Sequence, residues 1–112
     1  GGFSHCWAEL ECAVRHDIDV KLIVLNNAVL GFQRHAETLR FGQPTEVCAI
    51  TRIDHAMIAR AVGCANATVA SASELPAALN AMFAENGPYL RDVHVDPDAF
   101  PPIAGFARLL AS

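Results

Sequence analysis

The hydrophobic and polar positions of this chain fall into short blocks that predict helices and strands in turn. Apolar residues recur every three or four positions over residues 4–16, which predicts an amphipathic helix entered through two N-terminal glycines. Residues 20–25 read VKLIVL, a nearly continuous apolar run that is typical of a parallel strand covered on both faces. That strand is predicted to end at two consecutive asparagines.

The middle of the chain predicts a helix, a long irregular segment and a further helix. The first helix is expected over residues 30–37, and the irregular segment over residues 38–53 is long enough to suggest a functional role. Asp54 is a suitable N-cap for the following helix, and Gly63 stands where a left-handed C-cap residue belongs. The apolar positions of that helix are Met57, Ile58, Ala61 and Val62.

The last third predicts a strand over residues 67–70, a helix, and a final strand over residues 89–95. Either of two serines is a candidate N-cap for the helix. Ser71 would form a capping box with Glu74, whereas Ser73 would place a proline in the first turn. The stripe expected to be buried on this helix consists of Leu75, Leu79, Met82 and Phe83.

Helices and strands that alternate in this way predict an α/β fold, a parallel sheet with helices on both faces. A chain of 112 residues is long enough for one hydrophobic core. We therefore expect one domain over residues 1–97, followed by a tail over residues 98–112. Parallel sheets of this class bind ligands at the carboxyl ends of their strands.

Charge and hydropathy exclude several classes of partner. The net charge is −4 and no cluster of lysine or arginine occurs, so nucleic acid is not expected as a partner. No apolar run approaches the roughly 20 residues of a membrane span, and no membrane partner is expected. The cysteines form no CxxC pair and are expected to be reduced and mostly buried, as in a cytoplasmic protein, with a zinc site or reactive thiol as the alternative.

The candidate chemistry lies in a pair of glycines and a pair of asparagines. Gly1 and Gly2 open the chain, and 24 residues separate Gly1 from Asn26, which is followed by Asn27. Paired glycines alone indicate a tight turn, and asparagines after a strand are common turn formers. Their spacing, with an apolar strand leading into the asparagines, is much more specific than either pair.

Together these segments resemble the thiamine-diphosphate-binding motif, which begins GDG at a strand end and closes with NN. The two halves here are GGFSHCWAELECAV and VKLIVLNNAVLG. They are followed by DHAMIARAVG, SELPAALNAMFAENGP and YLRDVHVDP, in the order and spacing of one family's C-terminal domain. The family is that of acetolactate synthase and benzoylformate decarboxylase, and the resemblance covers residues 1–97.

The resemblance implies a magnesium ion that is held by oxygen ligands and bridges the cofactor's phosphates. Its ligands in this chain would be the amide oxygen of Asn27 and the backbone carbonyl of Val29. The third ligand, the aspartate of GDG, would lie immediately before Gly1. We therefore expect a thiamine-diphosphate-binding fold that is truncated at its N-terminus, within the motif.

Four residues are expected near the diphosphate of the cofactor. Gly1 and Gly2 lack Cβ atoms, which allows their backbone N–H groups to approach the anion closely. The resemblance also places Leu30 and Gly31 there. For Gly31 the alternative is a glycine that only begins a helix, and for Leu30 the alternative is packing in the core.

The family chemistry is decarboxylation or carboligation of 2-oxo acids, catalysed by a lyase or transferase with thiamine diphosphate and Mg²⁺. His35 is a candidate acid or base, against the alternative of a surface or space-filling histidine. Biosynthetic acetolactate synthases carry GM..QW at this point, whereas residues 31–36 read GFQRHA. This departure leaves acetolactate synthesis and decarboxylation of another 2-oxo acid both open.

Partners also follow from the resemblance. The glutamate that activates the cofactor comes from the N-terminal pyrimidine-binding domain of a neighbouring subunit, so we expect a homo-oligomer at full length and a catalytically silent isolated chain. Two alternatives remain: a non-catalytic α/β module or degenerate relative without cofactor, and a different phosphate binder on a Rossmann-like sheet. The second alternative lacks the GxGxxG signature.

Overall fold

The computed structural model describes residues 1–99. The chain forms two compact units. The first, here called the sheet unit, comprises Gly1–Asn26 and Ile53–Val95. The second, here called the loop unit, comprises Asn27–Arg52 and the segment that begins at Asp96. The predicted tail over residues 98–112 lies almost entirely outside the described residues.

Three parallel strands form the centre of the sheet unit. They are β1 (Lys21–Asn26), β2 (Ala65–Val69) and β3 (Tyr89–His94), arranged in the order β1-β3-β2. Both pairings with β3 are parallel, and Asn26 of β1 is in register with His94. The predicted parallel sheet is therefore confirmed, with strand bounds within two residues of those expected.

Helices precede and connect these strands. The helices are a 3₁₀ helix at Gly2–Cys6, α1 (Glu9–Arg15), α2 (Gly31–Phe41), a 3₁₀ turn at Glu46–Cys48, α3 (His55–Ala61), a 3₁₀ turn at Ala72–Glu74, and α4 (Leu75–Ala84). Among these, α2 and the turn at Glu46–Cys48 belong to the loop unit.

The two faces of the sheet are covered by different helices. Leu10 of α1, Ala59 of α3 and Leu90 of β3 pack together in the core. The next residue of β3, Arg91, points to the opposite face, where its Nη2 donates to the carbonyl of Ala78 in α4 at 2.6 Å. Helices thus lie on both faces of the sheet, as the sequence pattern predicts.

Local capping signals determine where several helices begin and end. The carboxylate of Asp54 accepts from the backbone N–H of Met57 at 2.8 Å, which confirms the predicted N-cap of α3. Ser71 and Glu74 form the predicted capping box, in which the Glu74 carboxylate accepts from the Ser71 backbone N–H at 3.3 Å. Gly63 adopts φ 81°, the left-handed conformation expected after α3.

The predicted amphipathic helix over residues 4–16 is only partly right. Residues Gly2–Cys6 form a 3₁₀ helix, and the α-helix begins at Glu9. Gly1 at the N-cap offers no side chain to cap the first turn, and two successive glycines add backbone entropy that opposes α-helix formation. The glycine-led segment therefore takes the shorter, tighter helix.

Several side chains expected in the core are exposed instead. Ile23 and Leu25 of β1 are 47% and 68% exposed, so the expectation that this strand is covered on both faces is wrong for the described chain. Since α4 connects β2 to β3, it lies over those two strands and leaves that face of β1 open. Phe83 of α4 is likewise exposed, against prediction.

The loop unit contains α2 and the segment that follows it. The predicted helix is confirmed and runs to Phe41, one turn further than expected, before Gly42 ends it at φ 80°. Val29 and Ala49 form an isolated antiparallel bridge. Within residues 27–52, Cys48 is the one buried residue, so this segment contributes little buried core.

The cysteines are free thiols in the structure. Cys48 and Cys64 are buried, Cys12 is half-buried and Cys6 is exposed, so the expectation of mostly buried thiols holds for two of the four. In the described residues no group of three or more His, Cys, Asp or Glu side chains could hold a metal ion. No helix within residues 1–99 is both long and apolar enough to cross a membrane.

Candidate functional site

The chain makes a sharp turn directly after β1, at the residues expected to bind the metal ion. Ala28 has φ 57°, an uncommon value for a residue with a Cβ atom. The side-chain oxygen of Asn27 accepts from the backbone N–H of Val29 at 3.2 Å, which closes an Asx turn. Asn27, Val29, Leu30 and Gly31 all lie in the loop unit, within this turn and the start of α2.

The antiparallel bridge at Val29 determines where its carbonyl points. The N–H of Leu30 donates to the carbonyl of Cys48 at 2.8 Å, and the N–H of Ile50 donates to the carbonyl of Ala28 at 3.2 Å. In a bridge bonded through flanking residues, the N–H and carbonyl of the central residue point away from the partner strand. The Val29 N–H points to the Asn27 amide oxygen, so the Val29 carbonyl lies on that same side of the turn.

Two oxygen atoms that could bind a cation therefore face one side of the turn. The amide oxygen of Asn27 keeps a second lone pair after its bond to Val29, and the Val29 carbonyl adds a backbone oxygen. Magnesium prefers hard oxygen ligands of this kind. Both ligands are neutral, so they fit a cation that shares its charge with a bound diphosphate better than a cation bound to protein alone.

Gly31 allows the Asn27 amide to lie close to the start of α2. A Cβ atom at position 31 would come within 3.2 Å of the Asn27 Nδ2 atom and 3.9 Å of a methyl group of Val29. A side chain at position 31 would therefore displace the amide of the predicted metal ligand, which is a more specific consequence than the beginning of a helix. Its contact with the cofactor, and that of half-buried Leu30, remain predictions.

The two N-terminal glycines belong to the sheet unit. Both are exposed, and a Cβ atom added to Gly2 would meet no atom within 4 Å. The carbonyl of Gly1 accepts from the N–H of Ser4 at 3.1 Å in the first 3₁₀ turn. The packing of this chain does not itself require glycine at position 2, which leaves room for a ligand. Their contact with a diphosphate remains a prediction.

A buried polar network of the sheet unit was not expected from the sequence. Asp92 of β3 is fully buried, and its Oδ2 accepts from the backbone N–H of His55 at 3.0 Å and from the Asn26 amide at 3.3 Å. The Asn26 amide also donates to the carbonyl of Ile53 at 2.8 Å. The indole N–H of Trp7 donates to Nδ1 of His55 at 3.2 Å. We call Trp7, His55, Asp92 and Asn26 the buried network.

One signal in the sequence could have indicated this network. Asp92 stands in the middle of the last predicted strand, where a charged side chain is costly to bury without hydrogen-bond partners. The sequence does not reveal which residues those partners are, because His55 and Asn26 are far from Asp92 along the chain.

The protonation state of His55 follows from its surroundings. Burial lowers the pKa of His55 below its usual value of 6.5, and the neighbouring charge of Asp92 opposes that effect in part. A neutral imidazole can accept a hydrogen bond at Nδ1, as the geometry with Trp7 requires. The same ring packs edge-on against Phe3, with 5.4 Å between the ring centroids.

The loop unit has a polar cluster of its own, centred on Glu37 of α2. The Glu37 carboxylate accepts from the backbone N–H and hydroxyl of Thr45, at 2.7 and 2.8 Å, from Gln33 at 2.7 Å and from the Cys48 thiol at 3.2 Å. The backbone bond from Thr45, with the other donors, lowers the pKa of Glu37 to about 2. Desolvation, followed by the effect of Glu37, raises the pKa of the Cys48 thiol.

His35 lines a pocket within the loop unit. The pocket also includes Arg34, whose guanidinium forms an ion pair with Asp98 at 2.8 Å. His35 is half-buried, which agrees with either of its two expected roles. A catalytic function for His35 remains a prediction.

Comparison with known proteins places these features in a family context. The family whose sequence model matches this chain is described as thiamine pyrophosphate enzyme, C-terminal TPP binding domain, and the match covers residues 1–93. The chain is 32% identical over 108 residues to a Mycobacterium tuberculosis protein named as an acetolactate synthase large subunit, and 30% identical over 111 residues to a Methanocaldococcus jannaschii protein of the same description.

A third relative, from Bacillus subtilis, is named as a thiamine pyrophosphate-containing protein and is 28% identical over 105 residues. The three alignments cover 94%, 96% and 97% of this chain. They cover only 18–19% of the relatives, so the chain spans about a fifth of the length of the proteins it matches.

Proposed function

The chain belongs to the thiamine pyrophosphate enzymes, as their C-terminal cofactor-binding domain, and we propose that it binds thiamine diphosphate through magnesium in an enzyme that acts on 2-oxo acids. The observation that carries the proposal is the turn after β1. There, the oxygens of Asn27 and Val29 face the same side, and Gly31 leaves room for the Asn27 amide.

Each residue of the turn has a distinct role in this proposal. Asn27 and Val29 supply oxygen ligands to the cation, and the Asx turn holds the Asn27 oxygen in place before the cation binds. Gly1, Gly2, Leu30 and Gly31 line the diphosphate. When bound, thiamine diphosphate supplies the carbanion-stabilising chemistry that 2-oxo acid decarboxylation needs. This chain positions the cofactor, and His35 is its candidate acid or base.

The activity of the whole enzyme requires more chain than these 112 residues. We propose that an N-terminal pyrimidine-binding domain of a neighbouring subunit provides the activating glutamate, and that the full-length protein is a cytoplasmic homo-oligomer. The names of two relatives support an acetolactate synthase-like carboligation of 2-oxo acids. Simple decarboxylation of another 2-oxo acid is the second outcome that substrate assays distinguish.

The experiment that tests the proposal is substitution of the metal ligand in the full-length subunit. Asn27→Ala removes the side-chain oxygen ligand, whereas Asn80→Ala removes an exposed asparagine of α4 and serves as the matched control. Substitution of a residue that hydrogen-bonds a metal ligand typically lowers affinity or activity by about 10–100-fold. Loss of a ligand itself should therefore lower them by at least about 100-fold. Turnover of pyruvate and of benzoylformate is measured for each variant.

Unchanged turnover in Asn27→Ala would contradict the metal assignment and favour a non-catalytic module. The isolated 112-residue chain, assayed with magnesium and thiamine diphosphate, should show no turnover of either 2-oxo acid. Activity of the isolated chain would contradict the proposed need for a neighbouring subunit.

A further inference from the structure

The buried network joins the two sequence segments that carry the cofactor motif. Trp7 lies in the segment that follows the two glycines, and Asn26 is the last residue of β1, directly before the proposed metal ligand. Between them, the Trp7 indole donates to His55, and the Asp92 carboxylate accepts from both the His55 backbone N–H and the Asn26 amide. Residues 7 and 26 are thereby connected by hydrogen bonds as well as along the polypeptide.

Burial makes the hydrogen bonds of Asp92 costly to break. Asp92 is 0% exposed, Asn26 is 6% exposed and His55 is 7% exposed, so water cannot readily replace a lost partner. A buried polar group that loses its partner costs about 1–3 kcal/mol, and more if it is charged. The end of β1 and the start of α3 are therefore held in one arrangement relative to β3.

We propose that Asp92 and His55 are positioning residues for the thiamine diphosphate site. They touch neither the cofactor nor the metal. Instead, Asp92 fixes the side chain of Asn26 and with it the last residue of β1, from which the metal-binding turn leaves the sheet. This inference rests on the proposed function, because it concerns the site at which that cofactor binds.

A single oxygen of Asp92 makes both described bonds. Oδ2 accepts from His55 and from Asn26, while Oδ1 is buried and has no hydrogen-bond partner in the described part of the chain. An asparagine at this position can place its one amide oxygen where Oδ2 lies and keep both bonds. A leucine has a similar shape but can keep neither, so these two substitutions separate hydrogen bonding from packing.

His55 contributes through two separate groups. Its backbone N–H donates to Asp92, and its ring accepts from Trp7 while packing against Phe3. His55→Phe retains the backbone bond and an aromatic ring but removes the acceptor for the Trp7 indole. Trp7→Phe removes the donor of the same bond. The two substitutions should therefore be non-additive, since either one alone breaks the bond.

The test uses the full-length subunit and two readouts. Calorimetric titration measures the affinity for thiamine diphosphate with magnesium, and hydrogen–deuterium exchange measures backbone protection of residues 24–31 without ligand. Asp92→Leu should weaken cofactor affinity by roughly tenfold, the lower end of the range for residues that hydrogen-bond a metal ligand, because Asp92 acts through the neighbour of that ligand. The same substitution should raise exchange in this segment. Asp92→Asn should retain affinity within about threefold, because the amide oxygen restores both bonds.

Met82→Ala is the control for general loss of stability. Met82 is fully buried on α4, and α4 covers the sheet face opposite Leu90 and α3. This control should lower the free energy of unfolding. It should raise hydrogen exchange at residues 24–31 no more than it raises exchange in β2 and β3. Equal loss of affinity in Asp92→Leu and Met82→Ala would overturn the positioning role, as would equal loss in Asp92→Leu and Asp92→Asn.

The outcomes also separate this inference from the proposed function. If the wild-type subunit binds no thiamine diphosphate, or Asn27→Ala binds it unchanged, the proposed function fails. If the wild type binds and Asn27→Ala does not, but Asp92→Leu binds as tightly as wild type, only the positioning role fails. Should Asp92→Leu not fold, the Trp7→Phe and His55→Phe pair decides the question. Non-additive losses of affinity support the role of the buried network, whereas additive losses or no loss contradict it.

Discussion

The sheet unit and the loop unit are stabilised in different ways. The sheet unit has a core of buried apolar side chains from α1, α3 and β3, together with a buried polar network at the end of β1. Among residues 27–52 of the loop unit only Cys48 is buried, and the hydrogen bonds of Glu37 link α2 to the segment after it. The proposed metal ligands thus lie in a segment, residues 27–52, with a single buried residue.

The difference between the two units indicates which residues make the proposed metal-binding turn rigid. Segments with few buried contacts open at lower free energy than the core of a domain. The Asx turn and Gly31 shape the metal-binding turn locally, while the stable anchor is Asn26, the last residue of β1. We therefore expect cofactor binding to order the loop unit more than the sheet unit.

The largest expected effect is on global stability, and it distinguishes the two units directly. Leu90→Ala removes a fully buried side chain from the core of the sheet unit and should lower the free energy of unfolding by about 2–5 kcal/mol. Leu39→Ala makes the same chemical change on α2, where the side chain is 48% exposed, and should cost less than about 1 kcal/mol. Urea denaturation followed by circular dichroism measures both. Similar losses would contradict the contrast between the units.

A smaller effect is expected at the start of α2. Gly31→Ala would bring a Cβ atom within 3.2 Å of the Asn27 amide, so the amide must shift. Alanine favours a helix over glycine by about 1 kcal/mol, which opposes the cost of this close contact. The free energy of unfolding should therefore change little, while the affinity for thiamine diphosphate falls. Calorimetry on the full-length subunit measures the affinity. Gly42→Ala is a poor control because of its positive φ, so the matched control is Leu39→Ala, a substitution at an exposed position of the same helix.

Retained affinity in Gly31→Ala, equal to that of Leu39→Ala, would show that the close approach of Gly31 to Asn27 does not matter for binding. The structure would then assign Gly31 only to the beginning of α2.

The smallest expected effect concerns the pH dependence of the loop unit. The pKa of Glu37 is lowered from 4.5 to about 2 in the folded chain, so the folded state binds fewer protons than the unfolded state between these values. The stabilisation from Glu37 is therefore present above about pH 4.5 and is lost as pH falls towards 2. The amide resonance of Thr45, which donates to Glu37, should titrate with a midpoint near 2 in NMR spectra.

A midpoint near 4.5 for Thr45 would mean that the Glu37 bonds do not form in solution. Glu37→Gln removes the titrating carboxylate, so in this variant the Thr45 resonance should not follow such a transition.

Much of the fold follows from local sequence signals. The three strands, the Asp54 N-cap and the C-cap Gly63 are recognisable because each depends on residues close together in the chain. The coverage of β1 is not predictable in this way. Its apolar residues Ile23 and Leu25 resemble a strand buried on both faces, and their exposure depends on which strands α4 covers.

The candidate site also has features that local sequence predicts and features that depend on distant contacts. The spacing of the glycine and asparagine pairs indicates the cofactor class, and the family match confirms that class. The buried network could not be predicted, since Asp92, His55 and Trp7 are brought together only by the topology of the sheet. The orientation of the Val29 carbonyl also depends on a partner, Ala49, that no local pattern identifies.

The central claim is that the Asn27 amide oxygen holds a divalent cation that binds the diphosphate, and its most direct test is calorimetric titration of the full-length subunit with thiamine diphosphate. We expect binding by the wild type with magnesium and by the Asn80→Ala control, and a loss of affinity of at least about 100-fold on adding EDTA or on Asn27→Ala substitution. Affinity that is the same with and without magnesium, or the same in Asn27→Ala and wild type, would contradict the account.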